Sequence, residues 1–313
     1  MKPLRIGTRG SALALWQANH LRDALAKKFS LESEIVVVKT SGDRFAGAQI
    51  EQIGIRGIFT KELEDALITD RADVAVHSMK DVPTEFSEVC KIAIVFPRED
   101  PRDALVSQHG EMLKDLPHAA RIGTSSLRRA SQLRQFRRDF KIVEVRGNVD
   151  TRLRKVAIGE CDAMVLAKAG LDRLDATSRI SEVLPPEVML PAVGQGALGM
   201  EFLAAREDEF SFLNQLVDQE TMLAVTAERT VLAALQGGCR LPLGAWGRFE
   251  SGTLVLDACV LSADGTESVR GHGSEACASA EEATDLGRKV AGDLLKAGAE
   301  RILRLAGRSV GQS

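Results

Sequence analysis

Four residues occur twice in this chain, and the order of elements behind them is repeated too. Arg5-Ile6-Gly7-Thr8 returns as Arg121-Ile122-Gly123-Thr124. Leu4 to Thr8 reads as a strand. The spacing of Leu13, Trp16, His20 and Ala24 then predicts a helix from about Ser11 to Lys28, with Ser11 as its N-cap. Each copy continues with a helix and a β-branched strand, Ile35 to Lys39 or Ile142 to Arg146. Each then enters another strand through an acidic residue, in Ala72-Asp73-Val74-Ala75-Val76 and in Cys161-Asp162-Ala163-Met164-Val165. Four shared residues alone are weak evidence; a shared order of elements is stronger. Strands alternating with helices imply an α/β fold of two βαβ domains, each with a mostly parallel sheet, facing a cleft. Ligands of such folds bind at the carboxyl ends of the strands.

The remainder follows another pattern. Thr221 to Leu235 is a helical stretch ending at Gly237-Gly238. Strands are expected at Leu243 to Phe249, Thr253 to Leu261 and Glu267 to His272, then an amphipathic helix from about Ala280 to Ala297. This reads as a smaller α+β C-terminal domain. Ser41 to Gly57, with four glycines and little periodicity, reads as a mobile loop.

Charge narrows the ligand. The 313 residues carry 41 basic and 44 acidic side chains, a net of −3. Arg121 to Lys155 holds eleven basic residues against three acidic, a local +8, which leaves −11 for the rest. A basic field inside an acidic protein points to a specific anionic ligand rather than to nucleic acid. The absence of tyrosine and the 4% of aromatics speak against nucleobase stacking. No apolar run approaches the 18 or so residues of a membrane helix. The start, MKPLRIGTRG, has no apolar signal core, and the five cysteines are odd in number without a CxxC pair. Both features lead us to expect a cytoplasmic protein with reduced thiols.

Three segments could carry chemistry. Gly123-Thr124-Ser125-Ser126-Leu127-Arg128-Arg129 joins a strand end to a helix start, where free N–H groups and two guanidiniums suit an anion; a solvated basic face is the alternative. His77-Ser78-Met79-Lys80-Asp81-Val82-Pro83 sets a cation and a carboxylate at a strand's carboxyl end, or forms a plain turn stopped by proline. His77 is expected to be structural, since no second metal ligand lies at a useful spacing, and no metal site is expected. Cys239 follows two glycines at a helix end beside Arg240, which would favour its thiolate, whereas the other cysteines lie in or beside apolar segments. Gly194-Gln195-Gly196-Ala197-Leu198-Gly199 satisfies a dinucleotide-binding pattern but follows Pro191 outside any βαβ unit, so it is not expected to bind a dinucleotide.

Seven strings together resemble the porphobilinogen deaminase (hydroxymethylbilane synthase) family from end to end. They are Thr8-Arg9 with Ser11-Ala12-Leu13-Ala14-Leu15-Trp16-Gln17, Val76 to Pro83, Arg98-Glu99-Asp100-Pro101-Arg102-Asp103, Gly123 to Arg129, Arg146-Gly147-Asn148-Val149, Leu190-Pro191-Ala192-Val193-Gly194-Gln195-Gly196, and Gly237-Gly238-Cys239. The resemblance implies two domains like those of periplasmic binding proteins and a third that carries the cofactor cysteine. Their bounds would be 1–97 with about 196–216, 98–195, and 219–313. It implies a dipyrromethane cofactor, made from substrate and held by Cys239 as a thioether. By the resemblance, four porphobilinogen units would be added in turn, each losing ammonia, and hydrolysis would free hydroxymethylbilane. A monomer is implied, with its product passing to uroporphyrinogen-III synthase.

By the same resemblance Asp81 is the catalytic carboxylate, set against the cationic electrophile left when ammonia departs. Lys80, Asp81, Thr124, Ser125, Ser126, Arg128, Arg129 and Arg146 would hold the cofactor. Arg9, Ser11, Arg146, Arg152, Arg173 and Gln195 would hold the substrate, whose carboxylates suit bidentate arginine. Gly10 and Ala12 replace a Gln and a Pro common in the family, and Gln52 and Arg56 stand where many members have lysine. These departures touch loop contacts and leave Asp81, Cys239 and the arginines in place. The competing reading is a non-catalytic binding protein for a small polycarboxylate, which would not explain Cys239 in its Gly-Gly loop.

Overall fold

A computed structural model describes residues 2–39, 60–84, 87–235 and 241–310, with side chains through 305. The expected loop from Ser41 to Gly57, including Gln52 and Arg56, and the Gly237-Gly238-Cys239 segment lie outside those residues. The chain divides into two compact units: Met1–Arg98 with Ala197–Asp218, and Glu99–Gly196 with Gln219–Ser313.

The first unit is built on β1 (Leu4–Thr8), α1 (Ala12–Phe29), β2 (Ser33–Val37), α2 (Lys61–Ile68), β3 (Val74–Ser78), β4 (Cys90–Val95) and β10 (Leu198–Leu203). The Ser11 hydroxyl accepts from the Ala14 amide at 3.3 Å and starts α1, while Lys27 and Lys28 suit the dipole in its last turn. Leu21 and Leu25 of α1 pack with Ile6, Val74 and Met200 on one face of the sheet. Leu63, Ala66 and Leu67 of α2 pack with Ala72, Ala75 and Cys90. The strand order is β2-β1-β3-β10-β4. β1 runs parallel to β2 and β3, whereas β10 is antiparallel to both β3 and β4.

The second unit repeats this plan. It contains β5 (Asp103–Ser107), β6 (Arg121–Gly123), α3 (Leu127–Phe136), β7 (Lys141–Val143), α4 (Val149–Ala157), β8 (Ala163–Ala167), α5 (Lys168–Asp172) and β9 (Glu182–Val183), in strand order β7-β6-β8-β5-β9. β6 is parallel to β7 and β8, and β5 is antiparallel to β8 and β9. The repeated tetrapeptide thus occupies β1 and β6, the second strands of two sheets with one topology, and Ile6 and Ile122 are both fully buried. Four of five strands in each sheet point the same way. The reversed strand, β10 or β5, is the first strand after two of the three passages between units, at Gly196–Ala197 and Arg98–Glu99. The alternating pattern did not predict these returns, or β4. β7 stops at Val143, three residues short of the expected Arg146.

The C-terminal part consists of α6 (Gln219–Ala234), the antiparallel meander β11 (Leu243–Glu250), β12 (Thr253–Leu261) and β13 (Ser268–Glu275), then α7 (Ala280–Lys296) and α8 (Ala299–Val310). Leu223 and Val231 of α6 join Leu286, Val290 and Leu294 of α7 over Leu254 and Leu256 of the sheet. A capping box between Ser279 and Glu282 begins α7. The β12–β13 turn braces α3, with Arg134 Nη1 donating to the Ala263 carbonyl at 2.7 Å and Gln135 Nε2 to Ser268 Oγ at 2.7 Å.

Candidate active site

In the first unit, β3 delivers its chemistry to a short helical turn, Met79–Asp81. Lys80 is half-buried, and the Asp81 carboxylate is exposed, with no hydrogen bond or ion pair among the described residues. An accessible acid at a strand's carboxyl end can exchange protons and can face a developing positive charge. Arg9 follows β1 half-buried, and Ser11 is committed to capping α1. His77 is buried with Nε2 2.6 Å from Glu201 Oε2, in keeping with a structural role. Cys90, Cys161, Cys259 and Cys277 are buried too, as their apolar settings predicted.

In the second unit the basic helix is folded inward at its start. Ser126 caps α3, and its amide donates to Thr124 Oγ1 at 3.1 Å; Thr124 is buried and Ser125 exposed. Arg128 and Arg129 are buried, not spread on a solvated face, and Asp103 joins them. Arg128 Nη1 donates to Asp103 Oδ2 and to the Leu190 carbonyl, both at 2.6 Å. Arg129 donates to Asp103 Oδ1 from Nη2 at 2.7 Å and from Nε at 3.1 Å. Gln195 Nε2 completes the set, donating to Asp103 Oδ1 at 3.0 Å and to the Pro101 carbonyl at 2.6 Å. Full burial opposes the charge on Asp103, but the two guanidiniums outweigh it and hold its carboxyl well below the usual range. Burial likewise lowers Arg129 and Arg173.

The other expected residues lie with partners of their own. Arg173 donates from Nε to Glu99 at 2.8 Å and from Nη2 to the Gly196 carbonyl at 2.9 Å, so it grips two of the unit's three chain crossings. Arg146 Nε meets Glu144 at 2.7 Å, and Arg152 Nε meets the Gly147 carbonyl at 2.7 Å. The sequence alone gives Asp103 no role and does not single out Glu228 of α6. That carboxylate is fully buried and accepts from the Gly194 and Gly247 amides, each at 2.7 Å. The signal for Asp103 was an acid opening an apolar run, Asp103-Ala104-Leu105-Val106. Gly194 to Gly199 leads into β10 and no helix, so it forms no dinucleotide-binding turn.

The donor set suits a dipyrromethane built from porphobilinogen, which carries carboxylate side chains. One aspartate against two arginines leaves a net positive charge, and Arg128 Nε and Nη2 are uncommitted among the described residues. That charge lies at the N-terminus of a ten-residue helix, whose dipole adds to it.

This combination defines an α/β protein that handles carboxylate-bearing ligands. A family profile described as "Porphobilinogen deaminase, dipyromethane cofactor binding domain" matches residues 4–210, and "Porphobilinogen deaminase, C-terminal domain" matches 222–296. The chain belongs to the porphobilinogen deaminase family, transferases of tetrapyrrole synthesis. A protein named porphobilinogen deaminase from Maridesulfovibrio salexigens is 45% identical over 304 residues, covering 97% of this chain and 98% of that one. Another of that name, from Chlorobium luteolum, is 47% identical over 304 residues, covering 96% and 97%. Among solved structures, the VFT2 domain of Bordetella pertussis BvgS aligns at 18% identity, covering 68% of this chain and 85% of that one, with a TM-score of 0.40.

Proposed function

We propose that this chain condenses four porphobilinogen molecules head to tail, with loss of ammonia, and releases hydroxymethylbilane. The observation that carries the reading is the buried Arg128–Asp103–Arg129 group, inside the segment matched to the cofactor-binding domain. Arg128, Arg129 and Lys80 bind cofactor carboxylates, with Thr124, Ser125, Ser126 and Arg146 beside them. Cys239 anchors the cofactor as a thioether. When bound, the dipyrromethane supplies the pyrrole end to which units are joined. Arg9, Ser11, Arg146, Arg152, Arg173 and Gln195 orient the incoming carboxylates, some through the neighbours named above.

Asp81 is the catalytic residue. Its exposed carboxylate faces the positive charge that develops on the pyrrole as ammonia leaves, and it carries a proton between steps. The division into domains 1–97 with about 196–216, 98–195 and 219–313 assigns the acid, the arginine pair and the cysteine to separate parts. The protein works as a cytoplasmic monomer and hands its product to uroporphyrinogen-III synthase. No helix among the described residues is long and apolar enough to cross a membrane.

Intact-protein mass spectrometry under denaturing conditions tests the reading, on the purified chain and on Cys239→Ser. The chain should carry the added mass of two linked pyrroles and the variant none. A bare mass in both, unchanged by porphobilinogen, would overturn it.

A further inference from the structure

The roles above leave a buried group of titratable side chains unused in the first unit. His77 on β3 and Glu201 on β10 lie 2.6 Å apart, Nε2 to Oε2, and Glu201 is fully buried. Cys90 on β4 also faces Glu201; burial, and then that carboxylate, push its thiol up to about 12. Glu64 of α2 faces the same group, and burial followed by the Glu201 charge raises its carboxyl. Glu201 is therefore buried beside Cys90 and Glu64, with His77 as its hydrogen-bond partner. The sheet does not need it for pairing, because β3 and β10 already join through their backbones from Leu198–Ser78 to Glu201–Ala75. A buried polar pair is also a costly way to join two strands compared with apolar packing.

What the pair does secure is the end of β3. Ser78 closes the strand, and the Met79–Asp81 turn starts at the next residue. The Met79 amide donates to the Ala197 carbonyl at 3.0 Å. The Met79 side chain lies on the bare Cα of Gly199, where an added Cβ would collide with Met79 Sδ and come within 3.0 Å of Ile92 Cγ2. The start of β10 thus holds this turn at three places: the Ala197 carbonyl, Gly199 under Met79, and Glu201 through His77.

We propose that Glu201, acting through His77, is a positioning residue for Asp81, with Gly199 as a second mount for the same turn. The proposal rests on the reading of Asp81 as the catalytic carboxylate. Misplacing an acid by a fraction of an ångström harms the chemical step more than the binding of carboxylates elsewhere.

The test uses holoenzyme carrying its pyrrole mass, as Glu201→Leu, Glu201→Gln and Asp81→Asn. Glu201→Leu should lower kcat by about tenfold or more, with KM for porphobilinogen within roughly twofold. Glu201→Gln, which keeps an acceptor towards His77, should recover kcat to within roughly threefold. A loaded Glu201→Leu enzyme with wild-type kcat, or a loss in KM alone, overturns the proposal. If Glu201→Leu does not fold, Gly199→Ala decides: a kcat loss at unchanged KM supports the mount, and wild-type kcat overturns it. Asp81→Asn separates the two readings. Normal turnover there removes both, whereas an inactive Asp81→Asn beside an unaffected Glu201→Leu removes the positioning role alone.

Discussion

Arg5 and Asp73 are joined by three hydrogen bonds of 2.9 Å: the Arg5 amide and Nε donate to Asp73 Oδ2, and Nη2 donates to Oδ1. Arg121 and Asp162 repeat the pattern in the second unit, the amide donating to Oδ2 and Nη2 to Oδ1, both at 2.7 Å. The arginine that opens each repeated tetrapeptide thus grips the acid that opens the strand beside it. The parallel pairs β1–β3 and β6–β8 are pinned at the same end by the same chemistry.

Asp73 ties the first unit's stability to acid pH. Burial disfavours its charge, but the bonds from Arg5 and Arg206 prevail and hold the carboxyl below its ordinary value. Because the folded value is depressed, this contribution is fully present above the unfolded value of about 4 and fades as pH falls through the folded one. Asp73→Asn should cost about 2 kcal/mol at neutral pH, and the gap to wild type should narrow below about pH 4. Urea melts at a series of pH values measure this; a gap independent of pH would refute it.

Asp103→Ala would leave two buried guanidiniums without their shared carboxylate. A loss of about 3–5 kcal/mol is expected, read by urea denaturation. Molecules that still fold should carry no pyrrole mass, because the arginine pair has lost its seat. A variant that is stable and loaded would show that Asp103 sets neither property.

Two glycines should respond in opposite directions. An added Cβ at Gly123 would meet Met164 Cε at 2.9 Å, Cys161 Sγ at 3.0 Å and Val145 Cγ2 at 3.0 Å, so Gly123→Ala should cost about 1–3 kcal/mol. Gly292 lies inside α7 with nothing within 4 Å of its added Cβ, so Gly292→Ala should add about 0.5–1 kcal/mol. Thermal melts of the two variants should move to opposite sides of wild type.

Thiol labelling of the native protein should separate one cysteine from four. Burial raises Cys161, Cys259 and Cys277, and pushes Cys90 up to about 12, so all four should stay protonated and unreactive near pH 8. Cofactor-free protein is expected to take one label, on Cys239, and the loaded protein none. Labelling of Cys90 or Cys259 in folded protein would count against the burial argument.

The legible parts of the fold were those set by neighbours in the chain. β1 and β12 have their expected bounds, and α1 starts at its expected cap, because alternation, helical spacing and a capping serine act within a few residues. β5 and β10 were not legible. Each is a short buried run that becomes a strand through partners far away in sequence, such as Ser78 for Leu198. In the candidate site, the sequence showed the basic residues after β6 and the acid after β3 as residue types, but not that Arg128 and Arg129 are buried. Asp103 could not be given a role, since its partners Arg128 and Gln195 stand 25 and 92 positions away.

By itself, the sequence determined the repeated α/β plan and the set of residues available for chemistry, which follow from local pattern and residue type, while its motifs carried the resemblance to the family. Tertiary structure alone decided which of these residues are buried and whom they face. Arg128 and Arg129 turn inward to Asp103, Arg173 closes on Glu99 and Gly196, and Glu201 meets His77 behind the Asp81 turn. The reason is physical: a charged group can leave water only where a partner waits within hydrogen-bond reach, and the fold places that partner.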